Sequence, residues 1–181
     1  SRAERACFTA AIANSGQQCT PQSIETVTDR DENILKEFSA NCKEVISADV
    51  ANKTAALLTA SAGQYYTSTR LGDGRPYAAK SGTTDGHANT WLTGFTPSIV
   101  TAAWVGHGEN SSQEVGPVTI NGRYYGEIYG ETFVGQNIWA PYMTQVLAGT
   151  PVEAVSNANI GASSNTSRPS NPTPAPTSSG N

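Results

Sequence analysis

The chain has 181 residues, of which 37% are hydrophobic and 14% charged, enough for one globular unit with a modest core under a polar surface. A net charge of -4, a sequence pI near 5.1 and the lack of any Lys/Arg run exclude nucleic acid as a partner, because phosphate binding needs clustered cations. No stretch approaches the roughly 20 consecutive apolar residues that span a bilayer. Ser1-Arg2-Ala3-Glu4-Arg5-Ala6 has neither an initiating methionine nor the pattern of a signal sequence, so a piece of a longer protein is expected.

In chain order, Glu4 to Asn14 is alanine-rich and reads as a short helix stopped by Asn14-Ser15-Gly16. Ser23 to Thr28 and Ile34 to Phe38, separated by the turn-like Asp29-Arg30-Asp31-Glu32-Asn33, form a predicted hairpin. Cys19 and Cys42 bracket these runs, so the hairpin would bring them together, and closing such a loop contributes about 3 kcal/mol. Separate thiols are the alternative; the secreted-looking tail favours the bridge and leaves Cys7 unpaired. No cysteine sits at metal-ligand spacing, and no cofactor is implied.

Ser47 can cap a helix over Ala48 to Ser61, ended by Gly63. Three strands follow, Tyr77 to Thr83, Thr90 to Thr96 and Ile99 to Val105, and their short links predict antiparallel neighbours in one sheet. His107 to Asn137 reads as an excursion carrying an Asn121-Gly122 hairpin. Ile138, Trp139, Tyr142, Met143, Val146 and Leu147 recur on one helical face, with Pro141 in the first turn and Gly149 after the end. The expected organisation is an α+β unit over 1–155, an antiparallel sheet packed by helices, with a hairpin insertion over 17–45. The Ser/Pro/Asn/Thr-rich segment 156–181 cannot offset its ordering entropy and is expected to be a disordered tail.

The chemistry concentrates at Ala79-Lys80-Ser81-Gly82-Thr83-Thr84-Asp85. A lysine within an otherwise apolar strand, beside a glycine that permits close approach, offers a cation to an anionic ligand. Ser81 and Thr83 alternate on the strand and share a face, so their hydroxyls can bind one oxyanion. Taken alone, Lys-Ser-Gly is also what a protected edge strand with a bulge looks like. Gly74 to Ser81 lies one residue from a phosphate loop, with Ala79 where glycine is required, yet no helix follows to cradle a phosphate. His87 and His107 lie beside glycines with no acid placed to orient them, and Trp91 and Trp104 read as core or sheet-face residues.

The continuation is specific. Ala79 to Asp85, then Thr90-Trp91-Leu92-Thr93-Gly94-Phe95-Thr96-Pro97, then Ala102-Ala103-Trp104-Val105-Gly106, resemble the third-motif region of class A penicillin-binding proteins. In that family a Lys-Thr-Gly-Thr-Thr strand precedes Trp-Phe-x-Gly-Tyr-Thr-Pro and a strand ending Trp-Val-Gly. Ser81 for threonine is a familiar exchange, whereas Ala79 replaces the usual glycine. The resemblance covers most of Ala10 to Gly149, to the C-terminal part of a transpeptidase domain of actinobacterial type.

It implies a partial serine β-lactamase or D,D-peptidase-like fold and D,D-transpeptidation of peptidoglycan stem peptides through a serine acyl-enzyme, with β-lactams as acylating mimics. By position, Lys80 and Thr83 would be catalytic, Lys80 in the proton network and the Thr83 N–H as an oxyanion donor. Ser81, Gly82, Thr83 and Thr84 would bind substrate. A class A member would also carry a membrane anchor and a glycosyltransferase domain outside the cytoplasmic membrane. None of Lys36, Lys43, Lys53 or Lys80 has a serine three residues before it, so the S-x-x-K nucleophile is expected in a missing N-terminal half of the domain. Ser39-Ala40-Asn41 spells S-x-N inside the hairpin and is read as coincidence. The rival reading is a non-catalytic cell-wall or surface module that binds peptide by strand addition.

Overall fold

The computed structural model describes residues 2–108 and 112–155; the tail expected over 156–181 lies outside the described residues. Helix α1 (Arg2–Ala13) turns Ala11 and Ile12 inward and stops at Asn14-Ser15-Gly16. The Gly16 N–H donates to the Ala11 carbonyl, and Gly16 has φ +92°, a conformation open to glycine. A Cβ there would stand 2.0 Å from the Ile46 oxygen, so the close return of the chain beside α1 requires this residue.

Between the helices runs a lobe whose neck pairs β1 (Gln17–Cys19) with β4 (Cys42–Glu44) and whose arm pairs β2 (Thr26–Thr28) with β3 (Ile34–Glu37), all antiparallel. Cys19 faces Cys42 in the register and the two are disulfide-bonded; Cys7 is free. The neck strands carry no alternating pattern in sequence, which is why only the arm is legible there. Asp29 builds the arm's turn by accepting the N–H groups of Asp31 and Asn33, at 2.9 Å each. The side-chain hydrogen bond from Asn33, with those from the backbone, holds its carboxyl below the ordinary carboxylate range.

Helix α2 (Ala48–Tyr65) starts at Ser47, whose hydroxyl accepts the Val50 N–H, and buries Ala51, Ala55 and Ala62. Sequence places its end at Gly63, but it continues to Tyr65. Exposed Gly63 costs helix stability, whereas the next residue, Tyr66, is buried as the C-cap and anchors the terminus.

Strands β5 (Ala78–Thr83), β6 (Asn89–Phe95) and β7 (Val100–Gly106) form one antiparallel sheet in that order, with Lys80 opposite Thr93 and Gly82 opposite Trp91. One face, through Ala79, Leu92 and Ala103, packs on Trp139, Met143 and Leu147. The other, through Ala78 and Phe95, packs on Ile12 of α1 and Ala55 of α2. The sheet is thus buried on both faces, and each fully enclosed side chain such as Leu92 contributes about 1.5–3 kcal/mol.

A small hairpin, β8 (Val118–Ile120) and β9 (Arg123–Tyr125), turns at Asn121-Gly122. The closing helix begins earlier than its apolar periodicity suggests. Gly130–Trp139 winds with a π-type pattern and runs into α3 (Ala140–Val146). The wider winding drifts the buried positions away from a 3.6-residue repeat, so Phe133 and Val134 are hidden from a helix-period reading.

Candidate active site

Strand β5 carries the motif from the core to the surface: Ala78 and Ala79 are buried, Ser81 and Gly82 half-buried, Lys80 and Thr83 exposed. It is the outer strand of its sheet. Backbone groups of alternate residues point to opposite edges, and two contacts fix which is which. The Ser81 N–H donates to Tyr66 Oη at 2.9 Å and the Ser81 carbonyl accepts from Lys80 Nζ at 2.9 Å, so residue 81 faces away from β6. The Thr84 N–H instead donates to the Asn89 carbonyl across the ladder. By the same parity, the Thr83 N–H and carbonyl point to the outer edge beside Ser81.

Lys80 and Gly82 open on a cleft of about 460 Å³ that is also lined by Arg5, Phe8, Trp91 and Thr93 beneath α1. Gly82 leaves room here, for an added Cβ would meet only Trp91 Cβ at 3.7 Å. The Arg5 guanidinium lies over the Trp91 ring at 4.4 Å, and Trp91 packs on Trp104, with centroids 6.0 Å apart. Two cations, Arg5 and Lys80, and one carboxylate, Glu4, therefore border the cleft, a net charge of one positive that suits an anionic group. The bond to the Ser81 carbonyl takes one of three ammonium hydrogens of Lys80, leaving two to face a ligand.

On the opposite face, Ser81 Oγ lies 3.1 Å from Tyr66 Oη. Thr84 works differently: its hydroxyl accepts the Asn89 N–H at 2.9 Å and ties β5 to β6. Lys80 lies within the strand, and β5 runs on to Thr83, so no helix N-terminus stands where a phosphate loop would need one.

Sequence reading assigns His87 no acid. The fold brings Glu114 Oε1 within 4.0 Å of His87 Nδ1, and Tyr129 edge-on to the ring at 4.7 Å. The Tyr129 phenol donates to Glu127 at 2.6 Å, and that bond raises its pKa. Burial raises that of Tyr77, whose hydroxyl donates to the Thr69 carbonyl. Tyr66 and Glu114 are residues that sequence reasoning missed; neither belongs to a motif, and only tertiary contact brings them to β5 and its following turn. Ser39 and Asn41 sit in the exposed lobe, with the Ser39 carbonyl accepting from Gln22 Nε2. Among the described residues no group of His, Cys, Asp and Glu is placed to hold a metal, and no helix is long and apolar enough to cross a membrane.

No family model matches the chain. Penicillin-binding protein 2D of Bacillus subtilis is 31% identical over 80% of this chain and 20% of its own length. Penicillin-binding protein 1A of Mycolicibacterium smegmatis is 32% identical over 80% of this chain and 18% of its own. The solved structure of penicillin-binding protein PonA1 from Mycobacterium tuberculosis superposes with a TM-score of 0.70 and 30% identity, covering 87% of this chain and 43% of that one. The fold is therefore that of penicillin-binding transpeptidase domains, the serine β-lactamase-like class. The chain spans about one fifth of the length of the curated relatives it matches. It is a homologue of the class A penicillin-binding proteins.

Proposed function

We propose that residues 1–155 are the C-terminal portion of a peptidoglycan D,D-transpeptidase domain and that β5 is its substrate-binding wall. What supports this reading is the outer edge of β5, where the backbone groups of Ser81 and Thr83 point away from β6, with Lys80 opening on the cleft beneath α1 on one face and the Ser81 hydroxyl beside Tyr66 on the other.

A stem peptide ending in D-Ala-D-Ala presents a carboxylate and, one residue inward, the carbonyl to be attacked. Ser81 and Thr83 hold the carboxylate through their hydroxyls, and Lys80 supplies the compensating charge. The Thr83 N–H donates to the carbonyl oxygen as it becomes an oxyanion, an interaction stronger in the transition state than in the ground state. The nucleophilic serine and its lysine come from another part of the longer protein, since no S-x-x-K occurs here. That serine forms an acyl-enzyme and releases the terminal D-alanine, and an amine of a neighbouring strand then takes the acyl group. A β-lactam enters the same way because its carboxylate and strained carbonyl mimic the peptide end. The site acts outside the cytoplasmic membrane, where the Cys19–Cys42 bond persists.

Fluorescent penicillin should label the full-length protein on a serine outside residues 1–181 and leave this chain alone unlabelled. A full-length protein that binds stem peptide without being acylated would overturn the reading in favour of a non-catalytic peptide-binding module.

A further inference from the structure

Ser81 is served by a residue outside every motif. Tyr66 is buried at the C-cap of α2, with its own N–H donating to the Ala62 carbonyl at 3.0 Å and its carbonyl accepting the Thr69 N–H at 2.8 Å. Its phenol reaches Ser81 twice: Oη accepts the Ser81 N–H at 2.9 Å and lies 3.1 Å from Ser81 Oγ. We propose that Tyr66 is a positioning residue that orients the Ser81 hydroxyl as a carboxylate donor and closes the outer edge of β5 behind Thr83. The inference rests on the transpeptidase reading and assigns a residue that the reading does not require.

Tyr66 Oη accepts the Ser81 N–H, which leaves its single hydrogen for Ser81 Oγ; the proposed polarity is the one in which the phenol donates across this 3.1 Å contact. The Ser81 hydrogen is then released toward an incoming carboxylate, completing the chain Ser81 N–H to Tyr66 O–H to Ser81 O–H to ligand, in which each bond polarises the next. The same contact occupies the outer-edge N–H of Ser81. An extended ligand added along β5 therefore finds its first available edge N–H at Thr83, which sets the register of its reactive carbonyl. Phenylalanine at 66 keeps the ring in its packed site but leaves the Ser81 N–H without its acceptor and the hydroxyl free to turn.

The test compares acylation of full-length wild type, Tyr66→Phe, Ser81→Ala and the double variant by benzylpenicillin and by its methyl ester, which lacks the carboxylate. Tyr66→Phe should slow acylation by the free acid about tenfold, the scale of a hydrogen bond to a charged group, and change that by the ester little. In the Ser81→Ala background the substitution should add nothing. Equal losses on acid and ester, or additive losses in the double variant, would overturn the role of Tyr66 while leaving the transpeptidase reading intact. A wild type acylated by neither compound would overturn both.

Discussion

Gly130 lies directly over Ser81: an added Cβ would stand 3.0 Å from Ser81 Cβ and 2.2 Å from the Trp91 carbonyl oxygen. The start of the π-type segment can approach the sheet beneath the motif because this position has no side chain. Gly130→Ala should destabilise the domain by about 1–3 kcal/mol through overpacking, and also slow β-lactam acylation because the atoms displaced include Ser81. Thermal melting and labelling by fluorescent penicillin report the two effects. An unchanged melting temperature would mean that the segment can lift away without cost.

Arg75 fastens the chain after α3 to the entry of β5. The side chain is 4% exposed and donates to the carbonyls of Leu147 and Thr150 and to Thr150 Oγ1, at 3.2, 3.1 and 2.8 Å. Asp73 completes the shell at 2.6 Å, and the hydrogen bond from Arg75 lowers the Asp73 pKa. Arg75→Ala would leave a void and remove the donor from the half-buried Thr150 carbonyl, while the Leu147 carbonyl keeps the Thr150 N–H and hydroxyl, so a loss of about 1–3 kcal/mol is expected on chemical denaturation. Asp73→Asn, which keeps a hydrogen-bond acceptor beside the guanidinium, should cost much less.

Tyr77 gives the fold an alkaline limit. Burial raises its pKa above the ordinary value of 10.0, so the stabilisation from its neutral form is fully present below about pH 10 and is lost as pH rises through the folded value. The melting temperature of wild type should therefore fall more steeply above pH 10 than that of Tyr77→Phe. At neutral pH the variant should be less stable by about 1–3 kcal/mol, because the Thr69 carbonyl loses its donor. Parallel alkaline slopes for the two proteins would exclude Tyr77 as the titrating group.

The lobe and the sheet should unfold separately. Residues 20–45 are exposed apart from half-buried Asp29, so the Cys19–Cys42 bond substitutes for a core that this segment lacks. Reduction by a dithiol, which converts the disulfide to two thiols as the reagent is oxidised, should remove about 3 kcal/mol from local closure of the lobe. Hydrogen exchange by mass spectrometry should show faster exchange over residues 20–41 and unchanged protection in β5 to β7. Equal loosening of both would show that the lobe is part of the main cooperative unit.

The sheet and the motif were legible because alternation, short links and a long specific sequence all act locally. Strands β5, β6 and β7 start and stop within a residue or so of their predicted bounds. Less legible were the features created by tertiary contact. The extension of α2 past Gly63 depends on where the Tyr66 ring is buried, and the π-type winding before α3 depends on Gly130 meeting β6. Glu114 reaches His87 from a segment 27 positions away, as the two residue numbers show. None of these leaves a periodic or spaced signal, and the same is true of Tyr66 beside Ser81.

The role proposed for the outer edge of β5 is to recognise the ligand carboxylate and to help polarise its carbonyl. The most direct measurement is the second-order acylation rate constant of the full-length protein by benzylpenicillin, for wild type and Lys80→Ala. A fall of about 100-fold is expected, comparable to loss of a charge-assisted contact at a reacting site, with the melting temperature little changed because Lys80 is exposed. Acylation at the wild-type rate in a folded Lys80→Ala protein would contradict it.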